Sequence, residues 1–276
     1  VYSEAGEPVA VVEGVSLRPA GRLAVTPPSE IEPWLYEVSW VPAPVGDGAT
    51  GDAAGSWLIL GNADGLGGRL AEALERRGGR CVVSAEPGGP DALRALVEEA
   101  FSPESPVRGV VHLFALDEPP AAVAVASDSI AGLAAAQERV TGSVVHLVQA
   151  LVSAGRSAKL WLVTRGAQAV AAGEAPNPHA ATLWGLARVI REEHPELGCV
   201  SIDLDPSGDS SESDRLLTEL LAADGEEQVA LRAGSRLAAR LVRYGAGGAG
   251  STRVPGLPED GRPFELYTEK PGVLDG

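Results

Sequence analysis

The stretch that decides the fold is SWLILGNADGLGGRLAEALERRGGRCVVS, residues 56–84. It begins with a short apolar run, turns through a glycine-rich segment, continues as an amphipathic stretch and closes on a second apolar run. This order predicts a strand, a helix and a second, parallel strand. The alternation continues along the chain, so the sequence predicts an α/β fold with a mostly parallel sheet and helices on both faces.

An aromatic strand candidate, residues 34–41, precedes this region and is separated from it by a loop rich in Gly, Ala and Asp. We expect one monomeric unit whose sheet has about five to seven strands. The other predicted strands are residues 57–60, 80–84, 109–114, 159–164 and 199–204, with 228–232 and 236–242 as a further pair; the predicted helices are 66–77, 90–101, 127–154, 179–193 and 213–223.

Composition and charge exclude several classes of function. The 276 residues are 45% hydrophobic and 22% charged, which is typical of a folded soluble domain. A formal net charge of −16 disfavours nucleic acid and anionic membranes as partners, because both bind clustered Lys and Arg. No apolar run is long enough for a membrane span, and we expect a cytoplasmic protein with Cys81 and Cys199 as free thiols. The chain contains no Met, even at position 1, so we expect it to be part of a longer polypeptide.

The turn after the first βαβ strand is the place where a dinucleotide would bind. Gly61, Gly65 and Gly67 lie between a predicted strand and a predicted helix, as a pyrophosphate site requires. Asp64, however, places a carboxylate where phosphate charges would lie, which disfavours binding. We therefore interpret the glycines as a tight turn kept for packing. Glu86, after the second strand, could contact the ribose of NAD, but a lone acid in a loop is more often solvated.

Side chains for carbonyl reduction are missing from the βαβ region. A reductase of the short-chain dehydrogenase type needs a Tyr proton donor, and tyrosines occur only at positions 2, 36, 244 and 267. No Tyr has a Lys four residues later. The histidines at 112, 146, 179 and 194 have no metal-ligand spacing, and we interpret His112 and His146 as structural. We expect no catalytic, cofactor-binding or metal-binding residue.

Five stretches carry a family resemblance: LYEVSWVP (35–42), GNADGLGG (61–68), GVVHLFALD (109–117), RVTGSVVHLVQAL (139–151) and TLWGLARVIREEHPELGCVSIDLD (182–205). The chain resembles the structural subdomain of a ketoreductase in a bacterial modular type I polyketide synthase. That resemblance implies a truncated Rossmann-like fold related to the short-chain dehydrogenases. It also implies that this half holds no cofactor and that NADPH binds in a separate catalytic half.

The resemblance implies a domain order as well. Residues 1–18 resemble the final strand of a dehydratase, 19–33 form a linker, 34–244 form the ketoreductase structural subdomain, 245–261 form a second linker, and 262–276 resemble the beginning of an enoylreductase. The implied partners are the catalytic ketoreductase half, the dehydratase and the enoylreductase of the same polypeptide, with an acyl carrier protein nearby.

Residue by residue, the motifs of active ketoreductases are eroded here. Leu113-Phe114-Ala115 replaces the small residues expected after the central His, and Phe114 would crowd a nicotinamide. Arg139 stands at the catalytic Lys position and Thr164-Arg165 in the serine region, while residues 177–179 contain no Tyr.

Three functions stay open at this point. The favoured one is a catalytically silent scaffold that braces the catalytic half, with Trp184 in its core. Its aromatic strand is expected to leave the sheet and pair with the catalytic half, with Tyr36, Val38 and Trp40 on the buried face. The alternatives are a diverged NAD-dependent short-chain oxidoreductase that uses Gly61, Gly65, Gly67 and Glu86, and the pseudo-ketoreductase of a fatty acid synthase.

Overall fold

The computed structural model describes residues 34–46, 51–86, 88–101, 105–117, 130–171, 173–222 and 224–244. The expected dehydratase strand (1–18), both linkers (19–33 and 245–261) and the expected enoylreductase start (262–276) lie outside the described residues. Backbone contacts separate an α/β unit, residues 38–240, from a second unit that contains the described residues 34–37 and 241–244.

One eight-stranded sheet runs through the described chain, with the strand order β1-β8-β7-β6-β5-β4-β2-β3. The six strands β7, β6, β5, β4, β2 and β3 are parallel to their neighbours in this order, whereas β8 pairs with β7 antiparallel. The predicted mostly parallel α/β fold is confirmed, although the sheet has one strand more than the expected maximum. The strands are β1 (Tyr36–Pro42), β2 (Gly55–Leu60), β3 (Gly79–Ser84), β4 (Val107–His112), β5 (Lys159–Arg165), β6 (Val200–Leu204), β7 (Gln228–Arg232) and β8 (Ser235–Arg243).

Helices cover both faces of the sheet. They are α1 (Leu66–Glu75), α2 (Pro90–Ala100), α3 (Ile130–Gln137), α4 (Ser143–Ser153), α5 (Pro178–Glu193) and α6 (Glu212–Leu221). The helix predicted over 127–154 is divided by a π-helical turn, Glu138–Gly142, between α3 and α4. The strand predicted to reach Phe114 ends at His112, because the amide of Leu116 donates to the carbonyl of Leu113 and starts a 3-10 helix, Phe114–Asp117.

Alternate residues of the central strands enter two separate cores. Leu58 and Leu60 pack under α2, α4 and α5, whereas Trp57 and Ile59 pack under α1 and α6. All four side chains are at most 2% exposed. A strand buried on both faces has a continuous apolar run rather than an alternating one, which is why β2 is so apolar.

Strand β1 differs most from expectation. It does not leave the sheet: it forms the edge beside β8, and the amide of Ala43 donates to the carbonyl of Arg236 at 3.0 Å. Only Trp40 of the expected buried aromatic face packs against the core, whereas Tyr36 and Val38 are 52% and 49% exposed. A short turn between β7 and β8 makes β8 antiparallel to β7. Strand β1 then pairs with the other side of β8.

The β7 to β8 turn contains a strained residue. Arg232 pairs with Ser235, so Ala233 and Gly234 form a two-residue turn with φ angles of 43° and 80°. Asn adopts positive φ more readily than Ala. We therefore expect Ala233→Asn to raise the free energy of unfolding by about 0.5–1 kcal/mol in urea titrations. Ala175→Asn is the matched control, since Ala175 is exposed and has negative φ, and an equal gain in both variants would contradict the prediction.

Candidate functional site

The glycine-rich turn lies at the carboxyl end of β2, where the first helix of a dinucleotide fold receives the pyrophosphate. Here the turn is closed by its own groups. The amide of Asp64 donates to Oδ1 of Asn62 at 3.0 Å, and the amide of Gly65 donates to the carbonyl of Asn62 at 3.2 Å. The amides of Asp64 and Gly65 thus already donate hydrogen bonds within the turn rather than toward a phosphate.

Packing alone explains why several of these positions are Gly. A Cβ on Gly61 would lie 2.8 Å from Cβ of Leu113, and one on Gly67 would lie 2.9 Å from the carbonyl oxygen of Asn62. One on Gly68 would lie 1.8 Å from the carbonyl oxygen of Ala63. The geometry therefore agrees with a turn whose glycines serve its own close contacts.

The cavity above the turn is small and is lined by side chains of both charges. Its volume is about 230 Å³, below the roughly 300–1,000 Å³ typical of ligand clefts. Asp117 and Glu212 line it, and Arg165 pairs with Glu212 at 2.6 Å and donates to the carbonyl of Asp205 at 2.9 Å. Glu86 is exposed on the loop after β3. Arg69, in the first turn of α1, is exposed and also lines the cavity, so a guanidinium lies near the turn.

Phe114 occupies space at the carboxyl end of β4. Its side chain is 2% exposed and packs in the same core as Ala167, Ala180 and Leu183, while Leu113 borders the cavity at the turn. The ring of Phe114 meets the ring of His112 edge-on, with centroids 5.0 Å apart.

His112, the last residue of β4, is fully buried. Its Nε2 lies 2.9 Å from Oγ of Ser143, and that hydroxyl donates to the carbonyl of Val140 at 3.0 Å. The hydroxyl proton is therefore used, so Nε2 of His112 carries a proton and donates to Oγ. Burial lowers the pKa of His112 to about 3, so the ring is neutral at physiological pH.

The region of Thr164 and Arg165 holds a buried polar network. The hydroxyl of Thr164 donates to Oδ1 of Asp203 at 2.7 Å and accepts from Nε1 of Trp184 at 3.0 Å. Asp203 is 0% exposed and pairs with Nη2 of Arg232 at 2.6 Å. We call these residues, Thr164, Trp184, Asp203 and Arg232, the Asp203 network.

The Asp203 network holds the loop between β5 and α5, residues 166–177. The amide of Ala167 donates to Oδ1 of Asp203 at 2.8 Å, and Arg232 donates to the carbonyl of Gln168 at 3.1 Å and to Glu174 at 3.3 Å. Asn177, at the position where a Tyr is missing, begins α5 by accepting from the amide of His179 at 3.1 Å. The polar groups here act on the protein's own backbone.

Sequence reasoning missed Asp203, Arg232 and Glu174, because they are far apart in the chain and form no local motif. A signal was present, since Asp203 interrupts the apolar run of β6 and a buried carboxylate needs a partner. Arg139 lies exposed in the π-helical turn. Within the described ranges no cluster of His, Cys, Asp and Glu could hold a metal ion, and no helix is long and apolar enough to cross a bilayer.

The chain is similar to a family of known proteins and to several individual relatives. Residues 38–241 match the family described as "Polyketide synthase extender module SpnB, Rossmann fold domain". The chain is 34% identical over 253 residues to the pikromycin polyketide synthase component PikAII of Streptomyces venezuelae, covering 88% of this chain and 6% of that protein. It is also 34% identical over 237 residues to the polyketide synthase GfsA of Streptomyces halstedii, covering 80% of this chain and 3% of that protein.

Two solved structures are similar as well. One is a C2-type ketoreductase from a modular polyketide synthase, with a TM-score of 0.60, 34% identity, and coverage of 77% of this chain and 43% of that one. The other represents A-type ketoreductases from a modular polyketide synthase, with a TM-score of 0.58, 28% identity, and coverage of 82% and 45%. The chain thus spans less than half of these structures and a small fraction of the curated relatives.

Proposed function

The chain belongs to the family of Rossmann fold domains of polyketide synthase extender modules, a ketoreductase-type region, and we propose that it is the catalytically silent structural half of such a ketoreductase. In this role it binds no cofactor, and NADPH binds in the catalytic half. Its partners are that catalytic half and the dehydratase and enoylreductase of the same polypeptide, with 34–244 as its own domain.

One observation carries the proposal: Thr164, which the family resemblance places in the serine region, is buried in the Asp203 network. Thr164, whose hydroxyl is buried, donates to Asp203 and accepts from Trp184, so it has no proton to share with a substrate. The closed glycine turn and the 230 Å³ cavity give independent support. No contact favours the NAD-dependent alternative at Gly61, Gly65 and Gly67, and the two relatives quoted are polyketide synthases rather than fatty acid synthases.

An exposed apolar surface supports a docking role. Helix α3, IAGLAAAQ, is apolar along nearly its whole length, although Leu133 is 37% exposed. On the neighbouring helices, Val145 of α4 is 38% exposed and Val189 of α5 is 47% exposed. A helix that is apolar on all sides is normally buried, which favours a partner that covers α3. We assign this surface to the catalytic half, since the solved ketoreductases extend well beyond the part that this chain matches.

The test is disruption of this surface in an intact module. We expect Leu133→Glu combined with Val145→Glu to reduce NADPH-dependent ketoreduction at least about tenfold, because a docking surface loses roughly 1–3 kcal/mol when a central apolar contact is removed. The measurement is NADPH consumption with a β-keto thioester substrate. Ala85→Glu, on the exposed loop after β3, is the control and should leave the rate unchanged. Full ketoreduction by the double variant would refute the docking role.

A further inference from the structure

A second cavity lies at the opposite, amino-terminal edge of the sheet, away from the glycine turn. Its volume is about 180 Å³, and Trp57, Trp161, Leu220, Leu221 and Ala222 supply apolar walls. Trp57 and Trp161 stack with ring centroids 5.5 Å apart. The first residue of β5, Lys159, also lines this cavity.

Lys159 is unusual in this chain and in its surroundings. Of 22 basic residues only Lys159 and Lys270 are lysines, so a primary amine is rare here. Nζ lies 5.0 Å from the centroid of the Trp161 ring. Within the described part of the chain it makes no hydrogen bond or ion pair. An indole face attracts the ammonium form but accepts no conventional hydrogen bond from it.

The charges around Lys159 are largely paired with each other. Asp52 and Arg108, at the rim, form an ion pair at 3.2 Å. Glu219 at the end of α6 and Asp224 after it pair with Arg236 at 2.6 and 2.8 Å. Burial lowers the pKa of Lys159, and the carboxylates of Glu219 and Asp224 oppose that shift without cancelling it. More of the uncharged amine is therefore present at neutral pH than on a solvated lysine.

The geometry points to Lys159 as an acylation site for short-chain acyl thioesters, with the acyl group received in the cavity between Trp161 and the end of α6. The lone pair of Nζ attacks the thioester carbonyl carbon, and a C–N bond forms as the C–S bond breaks. The sulfur leaves as a thiolate with the electron pair of that bond and takes up one proton from solvent, while the amine nitrogen gives up one proton to solvent. No oxidant or reductant is needed. The choice of a thioester rests on the proposed function, because polyketide assembly handles such donors.

The experiment treats the whole chain with S-acetyl-N-acetylcysteamine at pH 7.5 and follows acetylation of Lys159 by peptide mass spectrometry. Nα-acetyl-lysine amide in the same tube is the reference amine. We expect Lys159 to react faster than the reference, since a lowered pKa leaves more of the amine uncharged while reducing its nucleophilicity by less. Its rate should also level off at a lower pH. An equal or slower rate, or the same pH midpoint, would overturn the assignment.

Two variants test whether the acetylation rate of Lys159 depends on the cavity or only on the general reactivity of a lysine amine. Ala222→Asp adds a carboxylate to the cavity wall and should bring the rate of Lys159 down to that of the reference amine or below. Ala95→Asp, on the exposed side of helix α2 over the other face of the sheet, is the same change and should leave the rate unchanged. Equal effects of the two variants would contradict the site. The readout requires neither the catalytic half nor ketoreduction, so its failure is distinct from failure of the proposed function.

Discussion

Asp203→Ala should lower the free energy of unfolding by about 3–5 kcal/mol, because it leaves the charge of Arg232 buried without its closest carboxylate. Asp203 is 0% exposed and the side chain of Arg232 is 9% exposed, so water cannot replace the lost partner. The substitution also frees the amide of Ala167 and the hydroxyl of Thr164. Urea unfolding monitored by circular dichroism measures the loss.

A matched control comes from an exposed ion pair. Asp209 pairs with Arg215, and its side chain is 42% exposed, so Asp209→Ala should cost at most about 1 kcal/mol. A double variant, Asp203→Leu with Arg232→Met, should recover part of the loss, because it removes both buried charges together. If Asp203→Ala and Asp209→Ala cost the same, the Asp203 network does not hold this end of the sheet.

Trp184→Ala should have an effect of similar size, about 3–5 kcal/mol, because it removes a large side chain from the core. Trp184 is 3% exposed, donates to Thr164 at 3.0 Å and meets the ring of Trp40 edge-on at 5.9 Å. The variant therefore loses packing, one buried hydrogen bond and one aromatic contact. Thermal and urea unfolding would measure the change.

The chain supplies the same substitution at an exposed position. Trp34 is 76% exposed, and Trp34→Ala should change the free energy of unfolding by about 0.5 kcal/mol or less. A loss for Trp184→Ala no larger than that for Trp34→Ala would mean that helix α5 is misplaced. Losses for Trp184→Ala and Asp203→Ala should not add, because both side chains bind Thr164.

The sequence predicted the parallel sheet well because local pattern and burial agree there. Residues 57–60 of β2 and residues 160–163 of β5 are all apolar, and the amphipathic helices match their faces to the two cores. Local pattern was insufficient for β1, whose place beside β8 depends on a partner far along the chain. It also could not show that β4 ends at His112, because the 3-10 turn that follows has the same apolar character as the strand.

The prediction for the candidate site rested mainly on residue types that are missing from the βαβ region. The missing tyrosines and the acid in the glycine turn can be read directly from the sequence. The Asp203 network could not be read in this way, because it joins β5, β6, β7 and α5 and no spacing rule connects them. The cavity at Lys159 was hidden for the same reason: Trp57 and Leu220 meet Lys159 only after the sheet has formed.

Cofactor binding tests the central claim most directly. The chain and its Asp64→Gly variant should be titrated with NADPH and with NADH, with nicotinamide fluorescence as the readout. We predict no saturable binding up to about 1 mM, the upper end of ordinary enzyme affinities. Asp64→Gly should behave like the parent, because removing one carboxylate neither enlarges the cavity nor frees Arg165 from Glu212. Stoichiometric binding of either nucleotide by the parent chain in the micromolar range would contradict a catalytically silent half, and binding gained only by Asp64→Gly would show that charge alone had closed the turn.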